Sequence, residues 1–388
     1  MELRRTNTTA LGRWWWTVDR FTLIAVVTLV CIGIVMITAA SPSVATRIGL
    51  DQFYFVKRQV FFLLISCGLM FGISLLDELQ VRRLAVIGFA CSIGLMLLLP
   101  LFGYEVKGAT RWIYIGGLSI QPSEFMKPCF AVVLAWIFSE GLRLPGFPSY
   151  RIAMVLYGFV ALLLLIQPDI GMTITATVVF MAQFFLAGLP FFWVLLMAVS
   201  AVAGIVGAYF CFSHVQKRID SFLDPSSGDN YQVEKSLEAI QNGGLFGRGP
   251  GEGQVKLYLP DSHTDFIFSV AGEEFGVIVC LVIIALFGFI VLRGFSRVWR
   301  RRDMFVMLAV VGLLTQFGIQ AVINMGVAVN LLPAKGMTLP FMSYGGSSLM
   351  ATALGMGMVL ALTRLRYGYQ QDTNRAGHGA NSRARVMG

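Results

Sequence analysis

Charge is what this sequence has least of. Asp, Glu, Lys and Arg make up 13% of its 388 residues against 56% hydrophobic ones, with a mean hydropathy of +0.74, whereas a soluble globular chain carries about 25% charged residues. That imbalance excludes a water-soluble globule. Histidine is reduced to three residues, and the six cysteines (Cys31, Cys67, Cys91, Cys129, Cys211, Cys280) fall singly in or beside apolar runs. Without paired spacing they suggest neither a disulfide framework nor a zinc site and read as packing residues. The chain has no GxxxxGK[ST], no HExxH and no Cys-x-x-Cys, so nucleotide hydrolysis and zinc chemistry lack their local signatures. The net charge of +9 does not point to nucleic acid, because the basic residues gather at the ends of apolar runs, where lipid headgroups and orientation rules account for them.

What the chain does have is long charge-free runs, at 21–40, 60–76, 84–104, 152–167, 275–292, 304–334 and 336–363. About 20 apolar residues suffice to cross a bilayer as a helix. The uncharged stretch 170–213 is too long for one span, and Gly188-Leu189-Pro190 divides it into two. A further run at 128–139 would rise only ~18 Å as a helix, so it must extend back to Pro122, which brings Glu124 and Lys127 into its outer part. The run at 275 starts earlier, near Phe266, and so contains Glu273 and Glu274. The first run follows Arg4, Arg5 and Arg13, lacks a small-residue cleavage site and reads as a retained span rather than a removable signal.

The reading is an all-α polytopic membrane protein of about ten transmembrane helices. Residues 1–20 form an N-terminal tail, 21–363 the membrane domain, and 364–388 a polar, Arg- and Gly-containing tail expected to be disordered. An even count puts both tails on one side, and with the loops between spans that side collects more than half of the 30 Lys and Arg. By the positive-inside rule both termini are cytoplasmic. The outward segments are then 41–59, 105–121, a long extracytoplasmic loop at 213–265 between helices 7 and 8, and a turn at 330–340. In the long loop Val233, Leu237 and Ile240 have helical spacing and Gly243-Gly244 ends it, which predicts one short amphipathic helix.

This topology gathers Lys107, Arg111, Glu124, Lys127, Asp169, Asp265 and Lys335 at the outer face, where ionisable residues next to a bilayer become functional candidates. Glu124 and Lys127, three apart, share one helix face; they are either a structural ion pair or a pair that meets substrate. Asp169, in Gln167-Pro168-Asp169-Ile170-Gly171, is open to reading as a helix cap. The same is true of Asp265, between Pro260-Asp261-Ser262-His263-Thr264 and Phe266-Ile267-Phe268; a helix N-terminus would weaken it as a base while burial would strengthen it. Lone His263 reads as a hydrogen-bonding loop residue. Glu273 and Glu274 follow Asp265 by about two turns, and by helical phase Glu273 could approach the Asp265 face. The glycine-rich string from Gly243 to Gly253 could cradle an anion with its backbone N–H groups, or simply make turns.

The strings KGATRWIYIGGLSIQPSEFMK (107–127), QPDIG (167–171), NGGLFGRGPGEG through LPDSHTDFIFSVAGEEFG (242–276) and NLLPAKGMTLPFMSYGGSS (330–348) resemble the SEDS family of shape, elongation, division and sporulation proteins, over nearly every span in order. The opening Asp19-Arg20-Phe21, the Ala39-Ala40-Ser41 end of the first span and the basic tail resemble the division branch more than the elongation branch. The resemblance implies ten spans in the bacterial inner membrane and a peptidoglycan glycosyltransferase that polymerises lipid II on the outer face, at the division septum. It implies that Asp265, the carboxylate of the HTDF segment, is the catalytic base, and that Lys107, Arg111, Glu124, Lys127, Asp169 and Lys335 bind substrate. Asp261 stands where relatives often have Glu. The implied partners are lipid II and an undecaprenyl-linked glycan strand, a class B penicillin-binding protein (FtsI-like) and other divisome membrane proteins, with no nucleic acid. No cofactor is evident; a divalent cation, Mg or Mn, is compatible, although no ligand cluster demands one. The rival readings are an elongation-type polymerase of the same family, a flippase for the lipid-linked precursor, and a non-catalytic scaffold.

Overall fold

The computed structural model describes residues 10–106, 109–115, 118–188, 231–299, 301, 303–333 and 336–365, with scattered positions between 192 and 220. Helices α1 (Ala10–Thr17), α2 (Arg20–Arg47), α3 (Tyr54–Ser74) and α4 (Glu78–Phe102) lead into strands β1 (Tyr104–Val106), β2 (Ala109–Ile115) and β3 (Leu118–Ile120). Then come α5 (Pro122–Arg143), α6 (Ser149–Ile166), α7 (Ile170–Leu186), α8 (Tyr231–Gly243), a single 3-10 turn at Val255–Leu257, α9 (Ile267–Val298), α10 (Met304–Ala328) and α11 (Gly346–Thr363). Eight of these helices, α2 to α6 and α9 to α11, are long and apolar enough to cross a bilayer, and α7 adds a shorter apolar helix of 17 residues. The span expected near Pro190, and the first part of the 213–265 loop, lie largely outside the described residues.

Inside a bilayer a backbone must satisfy its own hydrogen bonds, so the charge-free runs become helices, and their ends lie where the sequence supplies caps. Asp77 and Gln80 form a reciprocal capping box at α4, Asp303 accepts from the Phe305 and Val306 N–H groups at α10, and Pro122 opens α5. Lipid gives helices no hydrophobic reason to associate; close packing at small residues and interhelical hydrogen bonds do that work. Buried Gln183 on α7 shows the second device. Its amide N–H groups donate to the Ala131 carbonyl of α5 at 2.7 Å and the Leu308 carbonyl of α10 at 2.9 Å, joining three helices.

Two differences from the sequence reading follow. The outward segment 105–121 is a small antiparallel meander in the order β1-β2-β3, added to an otherwise helical architecture. The run Thr110-Arg111-Trp112-Ile113-Tyr114-Ile115 before Gly116-Gly117 carries that signal in its β-branched and aromatic residues. The N-terminal tail is a helix in residues 10–17, seated by a hydrogen bond from Trp14 Nε1 to Ser74 Oγ at 2.8 Å and an edge-on contact with Phe71. At the other end of the chain Arg364 donates to Thr17 Oγ1 and to the Ser74 and Leu75 carbonyls, and the Leu365 N–H donates to the Thr17 carbonyl at 3.0 Å. The start of α2 and the end of α11 therefore sit side by side.

Candidate active site

Asp265 lies in a tight turn rather than at a cap. The backbone N–H groups of Thr264, Asp265 and Phe266 all point to the Asp261 carbonyl, at 3.0, 3.0 and 3.3 Å. Asp261 takes a left-handed φ of 53°, a conformation aspartate tolerates better than most side chains. The N-cap of α9 is Phe266, which makes no side-chain cap bond. Half-buried Asp265 faces the segment 336–338: a Cβ built on exposed Gly336 would stand 3.2 Å from Asp265 Oδ2. Beneath this contact Leu259, Phe266, Ile323, Val327 and Met337 form an apolar cluster separate from the main core, so the carboxylate is presented on a packed base.

Asp169 is both a cap and an ion-pair partner. Its Oδ1 accepts from the Met172 N–H of α7 at 3.2 Å, and its Oδ2 lies 3.6 Å from Arg111 NH1 and 3.5 Å from Gln121 Nε2. Arg111, placed by β2, also donates to the Gln167 and Pro168 carbonyls at 2.9 and 2.6 Å. The strand thus holds the corner between α6 and α7 through one guanidinium. Two residues beyond Asp169, Gly171 leaves room for Met337, whose Sδ would lie 3.1 Å from a Cβ there. The segment 336–338 therefore reaches from Asp265 to the Asp169 corner.

Glu124 and Lys127 form the pair their spacing predicts, at 2.9 Å, with 5% and 2% of their surface exposed. They are enclosed by the bundle, and their connection to the site is internal. Lys127 Nζ donates to Gln320 Oε1 at 3.0 Å, Gln320 Nε2 donates to the Thr338 carbonyl at 3.0 Å, and Thr338 Oγ1 meets Ser348 Oγ at 2.5 Å. One turn along α10, Asn324 Nδ2 donates to the Asp265 carbonyl at 2.8 Å and to the Met337 carbonyl at 2.6 Å. Gln320 and Asn324 are absent from the sequence-based set. Their signal was there: with Gln316 they recur every fourth residue, on one face of an otherwise apolar span. Lys107 and Lys335 lie outside the described residues.

The glycine-rich string and the two glutamates answer each other. Glu273, fully buried, accepts from the backbone N–H groups of Gln254, Val255 and Lys256 at 2.8, 2.8 and 2.9 Å and from Asn242 Nδ2 at 3.1 Å. The groups that hold this carboxylate flank the glycine-rich string rather than belong to it, and Glu273 is engaged there rather than turned to Asp265. Glu274 forms a buried ion pair with Lys256, which also donates to the Ala39 carbonyl of α2 at 3.2 Å. Between the two halves of α9, Gly276 breaks the helix at φ 79° and ψ 177°. The freed backbone groups pair with the loop: Arg248 N–H to the Glu273 carbonyl, Gly249 N–H to that of Glu274, and Val277 N–H to that of Gly244.

His263 is buried against the rings of Phe55 and Tyr344, with centroids 4.5 and 5.4 Å away. Burial pushes its pKa down to about 4; nearby Asp261 opposes that shift and Arg47 adds to it. The imidazole is a neutral packing group at physiological pH. Among the described residues no group of three or more His, Cys, Asp or Glu side chains is arranged to hold a metal ion, so no step below is routed through one.

The fold and site define a polytopic helical membrane protein with a carboxylate displayed on a rigid turn at the mouth of the bundle. Residues 20–368 match the family described as cell cycle protein, the group of FtsW, RodA and SpoVE, and the chain belongs to that family. It is 46% identical over 376 residues to the probable peptidoglycan glycosyltransferase FtsW of Caulobacter vibrioides, covering 97% of this chain and 96% of the relative. Identity to the protein of the same description in Geobacter metallireducens is 38% over 357 residues, 90% of this chain and 95% of that one. Among solved structures, a chain of a peptidoglycan synthase complex that coordinates polymerization and crosslinking superposes with a TM-score of 0.74 at 27% identity, over 89% of this chain and 97% of that one. The rod shape determining protein RodA of Thermus thermophilus gives 0.67 at 28% identity, over 90% and 97%.

Proposed function

We propose that this chain is a division-type peptidoglycan glycosyltransferase that polymerises lipid II at the outer face of the bacterial inner membrane, with Asp265 as its general base. The observation that carries the assignment is the Asp265 turn, which presents a half-buried carboxylate on a packed apolar base, in a chain that is nearly half identical to an FtsW over its full length. In the reaction the 4-hydroxyl of one lipid-linked sugar attacks the anomeric carbon of the strand's terminal sugar. The new C–O bond forms as the bond to the lipid pyrophosphate breaks, the pyrophosphate leaves with the electron pair, and the hydroxyl proton passes to Asp265. Such proton acceptance contributes about 10² to 10⁴ in rate. An α-linked donor giving a β-linked product is inverted once, so one base and no covalent intermediate suffice.

The departing pyrophosphate calls for positive charge, and Lys107, Arg111 and Lys335 are the cations assigned to it. Glu124, Lys127 and Asp169 act from behind, through Gln320 and the α6–α7 corner. Cytoplasmic termini are supported by the adjacency of Thr17 and Leu365 together with the basic residues on that side. The likeness to a chain of a synthase complex supports a partner that crosslinks the strands, a class B penicillin-binding protein of the FtsI type, at the division septum.

The test is reconstitution with such a partner, one that has no glycosyltransferase of its own, and labelled lipid II. Glycan ladders are compared for the wild type and Asp265→Asn. Ladders from the wild type alone support the assignment; equal ladders from a folded variant remove Asp265 from the role of base. No ladder from either, in a verified complex supplied with Mg or Mn, would favour transport or scaffolding.

A further inference from the structure

Resting on that assignment, we propose that Asn324 is a positioning residue for the reaction: it locks the Asp265 turn and the segment 336–338 into one register. Asn324 is 1% exposed and lies on a membrane-spanning helix, where a polar side chain is kept only if it is used. Its amide nitrogen has two N–H donors, and each finds a backbone carbonyl, one belonging to Asp265 itself and the other to Met337. Two carbonyl acceptors also fix the rotation of the amide, because the flipped form would set oxygen against two oxygens. Asn324 is closed off from open solvent and grips a backbone carbonyl on each side, so its effect on the chemistry passes through the backbone.

The segment it grips is the common neighbour of every described part of the site. Gly336 stands against Asp265 Oδ2, the Met337 side chain packs on Gly171 beside the Asp169 corner, and Thr338 receives Gln320, which carries Lys127. α10 thus holds the segment at two successive peptides, Met337 through Asn324 and Thr338 through Gln320. Only Asn324 also holds the Asp265 peptide. Without it the turn and the segment would still be joined by the packing of Phe266 with Met337 and by the Tyr344 N–H on the His263 carbonyl, but the hydrogen bonds that fix the Asp265 peptide against the Met337 peptide would be gone. A displacement of about 1 Å at a reacting group can cost about 10²-fold in rate.

Asn324→Asp, of nearly the same size, and the bulkier apolar Asn324→Leu both remove the donor pair. In the reconstituted complex with labelled lipid II, each is expected to lower kcat per folded molecule about 10- to 100-fold, with KM within about three-fold of wild type. A purely structural role would reduce the folded fraction and leave kcat per folded molecule intact. That outcome overturns the proposal, as does a rise in KM at unchanged kcat, which would make Asn324 a substrate contact. If both variants fail to fold, Asn324→Ser, smaller and still polar, carries the same expectation, and wild-type kcat from it overturns the proposal. Asp265→Asn is run alongside: if it polymerises normally the assignment of the base has failed, whereas an inactive Asp265→Asn beside fully active Asn324 variants removes the positioning role alone.

Discussion

At the scale of the residue, His263 gives the fold a pH dependence whose sign can be worked out. Burial between Phe55 and Tyr344 favours the neutral ring, so its pKa falls from 6.5 in a free chain to about 4 in the fold. The stabilisation linked to this difference is complete above about pH 6.5 and is lost progressively as pH falls through the window down to about 4. The unfolding temperature of the wild type is therefore expected to drop between pH 7 and pH 4.5 by more than that of His263→Gln, which has nothing to protonate; parallel curves for the two proteins would show that His263 does not contribute. Single residues also show what was legible. The Glu124–Lys127 pair followed from a spacing of three on one helix, and the Asp169 cap from its place before an apolar run. His263 did not follow, because stacking on Phe55 and Tyr344 brings together residues far apart in the sequence. The meaning of Asn324 was hidden for the same reason: its partners belong to two other segments.

At the scale of the element, α9 is two helices joined across a kink at Gly276. The break exists because residues 244–249 donate to and accept from the backbone groups that α9 leaves unpaired around Gly276. A side chain at Gly276 would meet the Leu245 carbonyl at 2.3 Å and the Gly247 nitrogen at 2.5 Å, at a φ of 79° that suits glycine. Gly276→Ala is expected to destabilise by about 2–5 kcal/mol, from backbone strain and overpacking together. Gly288→Ala, on the same helix with open space around it, is expected to be neutral or slightly stabilising; similar thermal shifts for the two would mean that the break is not enforced by the loop. The sequence announced the helix, its start near Phe266 and its two glutamates. It could not announce the break, since a glycine inside an apolar run has the same appearance whether or not another segment is docked on it. The meander of β1 to β3 was overlooked for a different reason, its strands being too short for alternation to stand out.

At the scale of the whole molecule, the end of the bundle remote from Asp265 is held by charge. Asp19, 1% exposed, receives two hydrogen bonds from Arg293 and two from Arg297. Burial pulls its pKa upward, but the two guanidiniums outweigh that and hold it below the usual carboxylate range. Asp19→Ala would leave two cations facing each other and is expected to cost about 2–3 kcal/mol, less than a fully buried pair because both Arg heads are partly exposed. Arg293 lies beyond the Gly276 break, in the half of α9 remote from Asp265, so kcat per folded molecule should stay within about two-fold of wild type; a larger fall would reveal coupling between the two faces. The order of the described spans could be read from the charge-free runs, because it is a one-dimensional property. The meeting of Thr17 with Leu365 could not.

Because Thr17 and Leu365 are hydrogen-bonded to each other, the path of the described helices from α1 to α11 comes back to its own start. A short linker across Thr17 and Leu365, with new ends opened in the exposed turn around Gly146 between α5 and α6, gives a circular permutant that gives up α1 but in which α2 to α11 keep their neighbours and their direction through the membrane.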